Sequence, residues 1–366
     1  MTQDMPHLLV AIDFGASATK VVASLAGGRI DHYKLLLLAP YCIDVGYSEI
    51  LTPNPDFDER SCWVKIGGIY SAVGNLAQAN YPAWLDIQGA KDDTAVAKTC
   101  AAIAVLVQKF KLPPSFRVTV ASVLPPGELA AKDDYKTDLA AAFKDLTTPA
   151  GKIKPKLEKV NTLAEGMGVL NQYSTEYQWR EKSVAVVMSG FRNTSLLLSE
   201  QGQVGVRKTS SYGYHSLLQD IEGGYATRDL IEPVIAYRMM GDASVLSPIL
   251  KSAKNPEREL ARLIESIELA RHNFLTNLTN WLKSNLPPQV DAVVLCGGTG
   301  EYIGRDLDSW LETKVRGGKA SIYKCTGDGL PTAFGDLEMQ SRFADIYYVW
   351  HGLHRKYQAD RKVAIN

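Results

Sequence analysis

"AIDFGASATK", Ala11 to Lys20, joins two apolar, β-rich runs, "HLLVAI" and "TKVVASL", and sets an aspartate at the end of the first. A carboxylate that closes a buried strand needs a cation, hydrogen-bond donors or water to offset its desolvation. The turn that follows, Gly15 to Ala18, is made of small residues whose backbone N–H groups can approach phosphate oxygens, and Lys20 adds a counter-charge. Two readings stand at this point: a phosphate-and-metal loop, or an ordinary hairpin turn.

Outward from this turn, "GRIDHYKLLLL" reads as a further strand, which gives an antiparallel start. From Pro40 to Ala90 proline and glycine break the pattern and predict an insertion, within which "CWVKIGGIYSAVGNLA" looks like two strands around a glycine pair leading into a helix. "DTAVAKTCAAIAVLVQKF" has helical spacing and is followed by "LPPS" and the strand-like "FRVTVASVLP", the passage expected in an α/β layer. The first lobe is predicted to close near Val160. Beyond "VNTLAEGMGVLNQY", the stretch "SVAVVMSGFRNTSLLLSEQGQV" repeats the strand, turn and strand of the opening, so two similar lobes are expected. A long amphipathic run, "NPERELARLIESIELARHNFLTNLTNWLKSNL", precedes a buried strand, a Gly-rich turn and a helix in "VDAVVLCGGTGEYIGRDLDSWL". The ending "LPTAFGDLEMQSRFADIYYVWHGLHRKY" is helical in pattern and is expected to return to the first lobe.

Bulk properties agree with two lobes. A chain of 366 residues can bury two cores. Lys+Arg and Asp+Glu both total 40, so no overall charge advertises nucleic acid or an anionic membrane. The five cysteines are scattered without a CxxC pair and read as reduced thiols. The longest apolar run, "LLLLAP" from Leu35, is too short to span a bilayer, and a basic-then-apolar leader is missing, so a cytoplasmic protein with no direct membrane partner is expected.

Two further motifs carry chemistry. Gly297 and Gly298 follow "AVVL" in "CGGTGEYI", a close-approach turn at a strand-to-helix junction; it is not a dinucleotide fingerprint, since GxGxxG is absent, and a simple helix-capping turn is the alternative. In "LAEGMG", Glu165 beside glycine suits a carboxylate that orients water, with a solvated helix-start glutamate as the alternative.

The order of these pieces, an Asp-turn hairpin, a Glu-Gly loop into a helix, a second hairpin and a Gly-Gly turn, resembles the actin-like ATPase superfamily, in particular its ParM-like bacterial members. "AIDFGASATK" is similar to the family's first phosphate loop, "VNTLAEGMG" to its first connecting helix, "VVMSGFRNTS" to its second phosphate loop and "VVLCGGTGEYI" to its adenosine loop. "YSAVGNLA" and "ADIYYVWHGL" also resemble ParM-type segments. The resemblance implies an α/β, actin-like two-lobed ATPase fold, two RNase H-like domains around a nucleotide cleft. The first lobe would be 1–160, with a small insertion near 40–90 and completed by 335–366; the second would be 161–334.

It further implies ATP, with GTP as the alternative, and Mg2+. Asp13 would bind the hydrated metal, Gly15, Ala16, Ser17, Ala18 and Thr19 would cradle phosphates, and Lys20 would supply charge. Gly190, Asn193 and Thr194 would meet phosphate, and Gly297, Gly298 and Thr299 would pass over the adenosine. Glu165 would orient the attacking water. The resemblance implies self-association into filaments that segregate plasmid DNA or position cargo, with a DNA-bound adaptor protein as partner. One departure stands out: the family places an aspartate two residues before the second loop's glycine, and Met188 is there instead. Arg192 is read as a solvated loop residue, with a phosphate partner as the alternative. Alternatives are a small-molecule kinase of the same fold, although the Asn-Asp pair of sugar kinases is missing, and a weakly hydrolysing nucleotide-binding scaffold. A DnaK-type chaperone lacks its substrate-binding domain in this sequence.

Overall fold

The apolar run "HLLVAI" falls in strand β1 (His7–Phe14), and all eight of the strand's residues are buried. In the computed structural model, described for residues 5–46, 51–81, 89–252, 254–287, 289–314, 320–325, 330 and 337–365, the chain divides into two compact units. Unit 1 comprises Met1–Gln172, Pro331–Phe334 and Phe343–Asn366; unit 2 comprises Tyr173–Leu330 and Gly335–Arg342.

In unit 1, β1 pairs antiparallel with β2 (Thr19–Leu25), and β2 pairs antiparallel with β3 (Tyr33–Leu38), so the expected meander opens the fold. The expected insertion holds β4 (Cys42–Val45), β5 (Trp63–Ile66), β6 (Ile69–Val73) and the short α1 (Asn75–Asn80); residues 47–50 and 82–88 lie outside the described residues. Helix α2 (Ala95–Phe110) is rich in alanine, a strong helix former, and presents a broad buried face. It stops where Lys111 turns left-handed (φ 52) ahead of Pro113 and Pro114, which cannot continue a helix. Strand β7 (Ser115–Leu124) then lies parallel to β1, as the helix-to-strand passage predicted.

After α3 (Lys132–Ala142) and β8 (Leu146–Thr148) comes β9 (Gly151–Ala164), parallel to β7. Here the structure corrects the sequence reading. "VNTL" was expected to open a connecting helix, but Val160–Ala164 complete β9, paired as Val120↔Val160 and Leu124↔Ala164; the helix α4 (Met167–Glu176) starts only after Gly166. A ladder along an already buried strand satisfies these backbone groups, and tertiary pairing overrides local helix propensity. The sheet order of unit 1 is β3-β2-β1-β7-β9-β8-β5-β6-β4.

Unit 2 repeats the opening layout. Strands β10 (Ser183–Ser189), β11 (Thr194–Glu200) and β12 (Gln203–Ser210) form an antiparallel meander. The short α5 (Tyr214–Gln219) and α6 (Thr227–Met240) precede α7 (Pro256–Asn285). Along α7 the buried residues Leu263, Ile267, Ala270, Phe274, Leu278 and Leu282 recur at three- and four-residue spacing, one apolar stripe turned to the core. Strand β13 (Ala292–Cys296) runs parallel to β10, α8 (Gly298–Tyr302) and α9 (Gly304–Lys314) follow, and β14 (Ser321–Lys324) runs parallel to β13. The order β12-β11-β10-β13-β14 matches β3-β2-β1-β7-β9 strand for strand.

Helix α10 (Leu337–Ile365) carries the C-terminal part of unit 1; residues 335, 336 and 366 of the segment expected there lie outside the described residues. Its fully buried His354 and Trp350 both hydrogen-bond Ser24 of β2, at 3.0 and 3.1 Å, and Tyr357 reaches His7 of β1 at 3.2 Å. No helix among the described residues is long and apolar enough to cross a membrane, and all five cysteines are free thiols.

Helices α4 and α10 approach each other closely at Gly168. A Cβ on Gly168 would lie 2.1 Å from the backbone carbonyl oxygen of Asp345. We expect Gly168→Ala to destabilise by about 1–3 kcal/mol despite a gain of about 1 kcal/mol in helix propensity, because backbone must move to admit the methyl group. Urea melts check this, and unchanged stability would mean that the helices do not meet at Gly168.

Candidate functional site

In unit 1 the register of β1 and β2 sets Lys20 directly across from Asp13. Directly opposed residues of an antiparallel pair share a face of the sheet, and Lys20 Nζ donates to Asp13 Oδ2 at 2.5 Å. Both side chains are buried, 8% and 5% exposed. Gly15, Ala16, Ser17 and Ala18 form the loop that joins the strands. A Cβ on Gly15 would sit 2.6 Å from the Ala18 carbonyl oxygen and 3.0 Å from Lys20 Nζ, so only glycine leaves the loop closed and the ammonium in place. Thr19 is fully buried, and its hydroxyl has no hydrogen-bond partner among the described residues.

Glu165 comes to the same place from the end of β9. Its N–H donates to Leu124 O at 2.8 Å, and Gly166 (φ 88) takes the left-handed turn that separates strand from helix. The carboxylate is buried, so the solvated helix-start reading does not hold; Lys91 Nζ donates to its Oε1. The same ammonium lies 3.8 Å from Asp13 Oδ1, and the Lys91 side chain is 8% exposed. Lys91 is positioned from the turn that leads into α2, where its own N–H donates to Glu128 Oε2 at 2.8 Å. Asp13, Lys20, Lys91 and Glu165 therefore form one buried network in which carboxylate and ammonium alternate and formal charges cancel. A pair near 4 Å is worth about 4 kcal/mol at an effective dielectric of about 20, but desolvating the ions takes back much of this, so the network fixes geometry more than it stabilises.

Sequence reading assigned no role to Lys91 or to Asp345, although Asp345 falls within the quoted "ADIYYVWHGL". Lys91 lies in "GAKDDTA", outside any motif, and no local signal marks it. Asp345 lies 180 residues beyond Glu165 in the sequence; its carboxylate accepts from Gly166 N at 2.9 Å and Val169 N at 3.1 Å, capping the first turn of α4 and fixing the turn that presents Glu165. Burial pushes the Asp345 carboxyl up to about 6, the two amide donors oppose this, and the negative charges of Asp13 and Glu165 add to it.

In unit 2 the second hairpin repeats the shape with other chemistry. Met188 pairs with Ser195, the position that Asp13 and Lys20 hold in the first hairpin. Gly190 N–H donates to Asn193 O at 2.8 Å and closes the loop, with Asn193 buried. Thr194 Oγ1 donates to Tyr212 O at 2.7 Å; having one proton, it accepts from Ser189 Oγ at 2.9 Å. Gly297 adopts φ 87, and a Cβ there would lie 2.4 Å from the Ser189 carbonyl oxygen. Gly298 begins α8, and Thr299 Oγ1 donates to Gly190 O at 2.8 Å. Gly190, Asn193, Thr194, Gly297, Gly298 and Thr299 are thus brought together.

Beside them opens a pocket of about 370 Å³, lined by Arg238, Met239, Gly297, Tyr302, Arg305 and Lys324 among others. Sequence reading had not reached Arg238, which is held at this wall by Asp306 at 3.0 Å; Arg271 shares that carboxylate at 2.8 Å. The volume lies in the range of small-molecule sites, and the lining offers apolar surface with a few fixed donors.

The donor set bears on magnesium. A hard divalent ion takes oxygen ligands, and thioether sulfur is a poor substitute. Lys20 and Lys91 engage the Asp13 and Glu165 carboxylates, and methionine fills the equivalent place in the second hairpin. Among the described residues no group of three or more His, Cys, Asp or Glu side chains could hold a metal ion. With both carboxylates engaged by ammonium groups, these residues do not fit a magnesium ion coordinated directly by Asp13.

No protein-family model matches the sequence, and no curated protein matches it significantly. Solved structures do match the fold. An archaeal actin homolog, Ta0583, is 14% identical with a TM-score of 0.59, covering 95% of this chain and 99% of that one. A 15-stranded ParM filament from Clostridium botulinum is 12% identical with a TM-score of 0.59, covering 96% and 100%. An AlfA filament bound to AMPPNP is 13% identical with a TM-score of 0.54, covering 96% and 98%. The chain has the actin-like fold of these ParM-type and archaeal homologues.

The raised Asp345 carboxyl gives a pH test. Its folded-state value, about 6, lies above the ordinary 3.8. The folded state therefore binds this proton more tightly, and the group's contribution to stability grows as pH falls from above 6 towards 4. We expect the stability of the parent relative to Asp345→Asn to be greater at about pH 5 than at about pH 7 in paired urea melts. An identical difference at both values would show that the carboxyl titrates normally.

Proposed function

We propose that this chain is an actin-type ATPase whose nucleotide state governs head-to-tail assembly into filaments, and that the filaments segregate plasmid DNA or position another cargo through a DNA-bound adaptor. The observation that carries the nucleotide part is the pair of glycine-tightened turns, at Gly15 and at Gly297, the latter beside a pocket of nucleoside size. Support for the assembly part comes from filaments of the same fold, one of them bound to AMPPNP. A heterologous contact repeated from copy to copy gives an open filament. The proposed setting is the cytoplasm.

In this reading the Gly297–Thr299 turn and its pocket take the nucleoside, ATP first and GTP as the alternative. The backbone amides of Gly15 to Thr19 and the Lys20 ammonium take phosphate, with Gly190, Asn193 and Thr194 offering further hydrogen bonds. Hydrolysis is attack of water on the γ-phosphorus, in which positioning and charge stabilisation supply most of the acceleration. Glu165 is the residue proposed to orient that water, and the Lys91 contact and the Asp345-capped turn hold its carboxylate in place. Met188 and the neutralised first loop favour slow turnover, so a weakly hydrolysing scaffold is the second reading.

Pelleting and electron microscopy with ATP, GTP, ADP and no nucleotide test the assembly claim; we expect filaments with a nucleoside triphosphate and few without. Equal pelleting in every condition would remove nucleotide control. Calorimetry on Lys20→Ala, which removes the ammonium, and on Asp13→Ala, which removes the carboxylate that anchors it, should show weakened ATP binding, and unchanged affinity in both would take the first hairpin out of the site. Glu165→Ala should retain binding while phosphate release slows by about tenfold or more. Hydrolysis at the parent rate would leave Glu165 with a structural role alone. A screen of acceptor alcohols for ATP-dependent phosphorylation distinguishes a small-molecule kinase.

A further inference from the structure

We infer that Lys91 is a tethered cation that takes the place of a protein-held divalent metal at the first phosphate loop, so that the chain binds nucleotide without requiring magnesium. The inference rests on the nucleotide reading of the Gly15 to Lys20 hairpin. Two observations carry it. First, the Lys91 ammonium contacts the Glu165 carboxylate and lies 3.8 Å from Asp13 Oδ1, at the junction of the two carboxylates expected to serve the metal and the water. A divalent ion bridging these groups would have to occupy the same space and face two ammonium charges, Lys91 and Lys20.

Second, Lys91 is built into this place rather than left on a loose surface chain. Its side chain is 8% exposed, and its backbone N–H is fixed to Glu128 Oε2 at 2.8 Å in the turn before α2. Burying an ammonium is costly unless carboxylates surround it, and here Asp13 and Glu165 do so. A site stripped of free carboxylates and supplied with two ammonium groups suits a polyphosphate bound directly by the protein's own cations, since charge-assisted hydrogen bonds from ammonium to phosphate are strong. Magnesium that arrives on the nucleotide is then bound by the phosphates and adds little to affinity.

Calorimetric titration of the full chain with ATP and with ADP, in magnesium and in excess EDTA, tests this. The parent is expected to bind each nucleotide with an affinity that differs by less than about threefold between the two conditions. Lys91→Ala should lose about tenfold or more in EDTA and recover part of the loss with magnesium, because removal of the ammonium opens the carboxylates to the metal. Since Lys91→Ala leaves buried carboxylates uncompensated, Lys91→Ala/Glu165→Gln, which restores charge balance, is measured beside it; it should fold with a melting temperature near the parent's and show the same loss in EDTA. Parent binding that collapses in EDTA, or variants as indifferent to magnesium as the parent, would overturn the role of Lys91 while leaving the nucleotide reading intact. If the folded parent binds neither nucleotide in either condition, both the nucleotide reading and this inference fall.

Discussion

A carboxylate at the buried end of a central strand cannot stand alone, and the neighbourhood of Asp13 is arranged around that requirement. The cost of withdrawing it from water is met by Lys20 across the β1–β2 pair and by Lys91 from the turn before α2, which in turn brings Glu165 to the same place from the end of β9. Three stretches far apart in the chain are thereby fixed relative to one another by charge. Gly15 is tied to the same constraint, because any side chain there would press on the ammonium that answers Asp13.

The second hairpin shows what happens when the constraint is absent. Its backbone follows the same plan, strand for strand, yet Met188 stands where Asp13 would, and the interactions around it are made by neutral groups: Ser189 to Thr194, Thr194 to Tyr212 and Thr299 to Gly190. Without a buried charge to answer, the loop holds itself by hydroxyls and by the close approach of Gly297 to Ser189. One unit therefore concentrates charge at its loop, and the other concentrates fixed hydrogen bonds and a pocket.

Helix α10 supplies the remaining support in unit 1. Asp345 caps α4, and the negative charges of Asp13 and Glu165 nearby help to raise its carboxyl. The same helix sets Trp350 and His354 on Ser24 of β2. The turn that aims Glu165 is thus anchored from a segment near the opposite end of the sequence.

Much of this architecture was legible from local pattern. Continuous apolar runs marked β1 and β10, Pro113 and Pro114 marked the end of α2, the four-residue stripe marked α7, and the repeated strand-turn-strand order marked the duplicated layout, because burial on both faces, helix termination and amphipathic period are properties of short windows. The residue types of the two loops were equally readable, since glycine and aspartate at turns have local causes. What the sequence by itself determined, then, was which segments are strands and helices and which turns are tight enough to meet a ligand. Only the tertiary structure decided that Val160–Ala164 extend a strand, because the pairing with β7 lies outside any local window. It alone decided that Asp13 and Glu165 meet across Lys91 and that Asp345 holds the turn between strand and helix, because the Coulomb and hydrogen-bond energies that select those partners depend on distance in space, and residues 13, 91, 165 and 345 come within reach of one another only once the chain has folded.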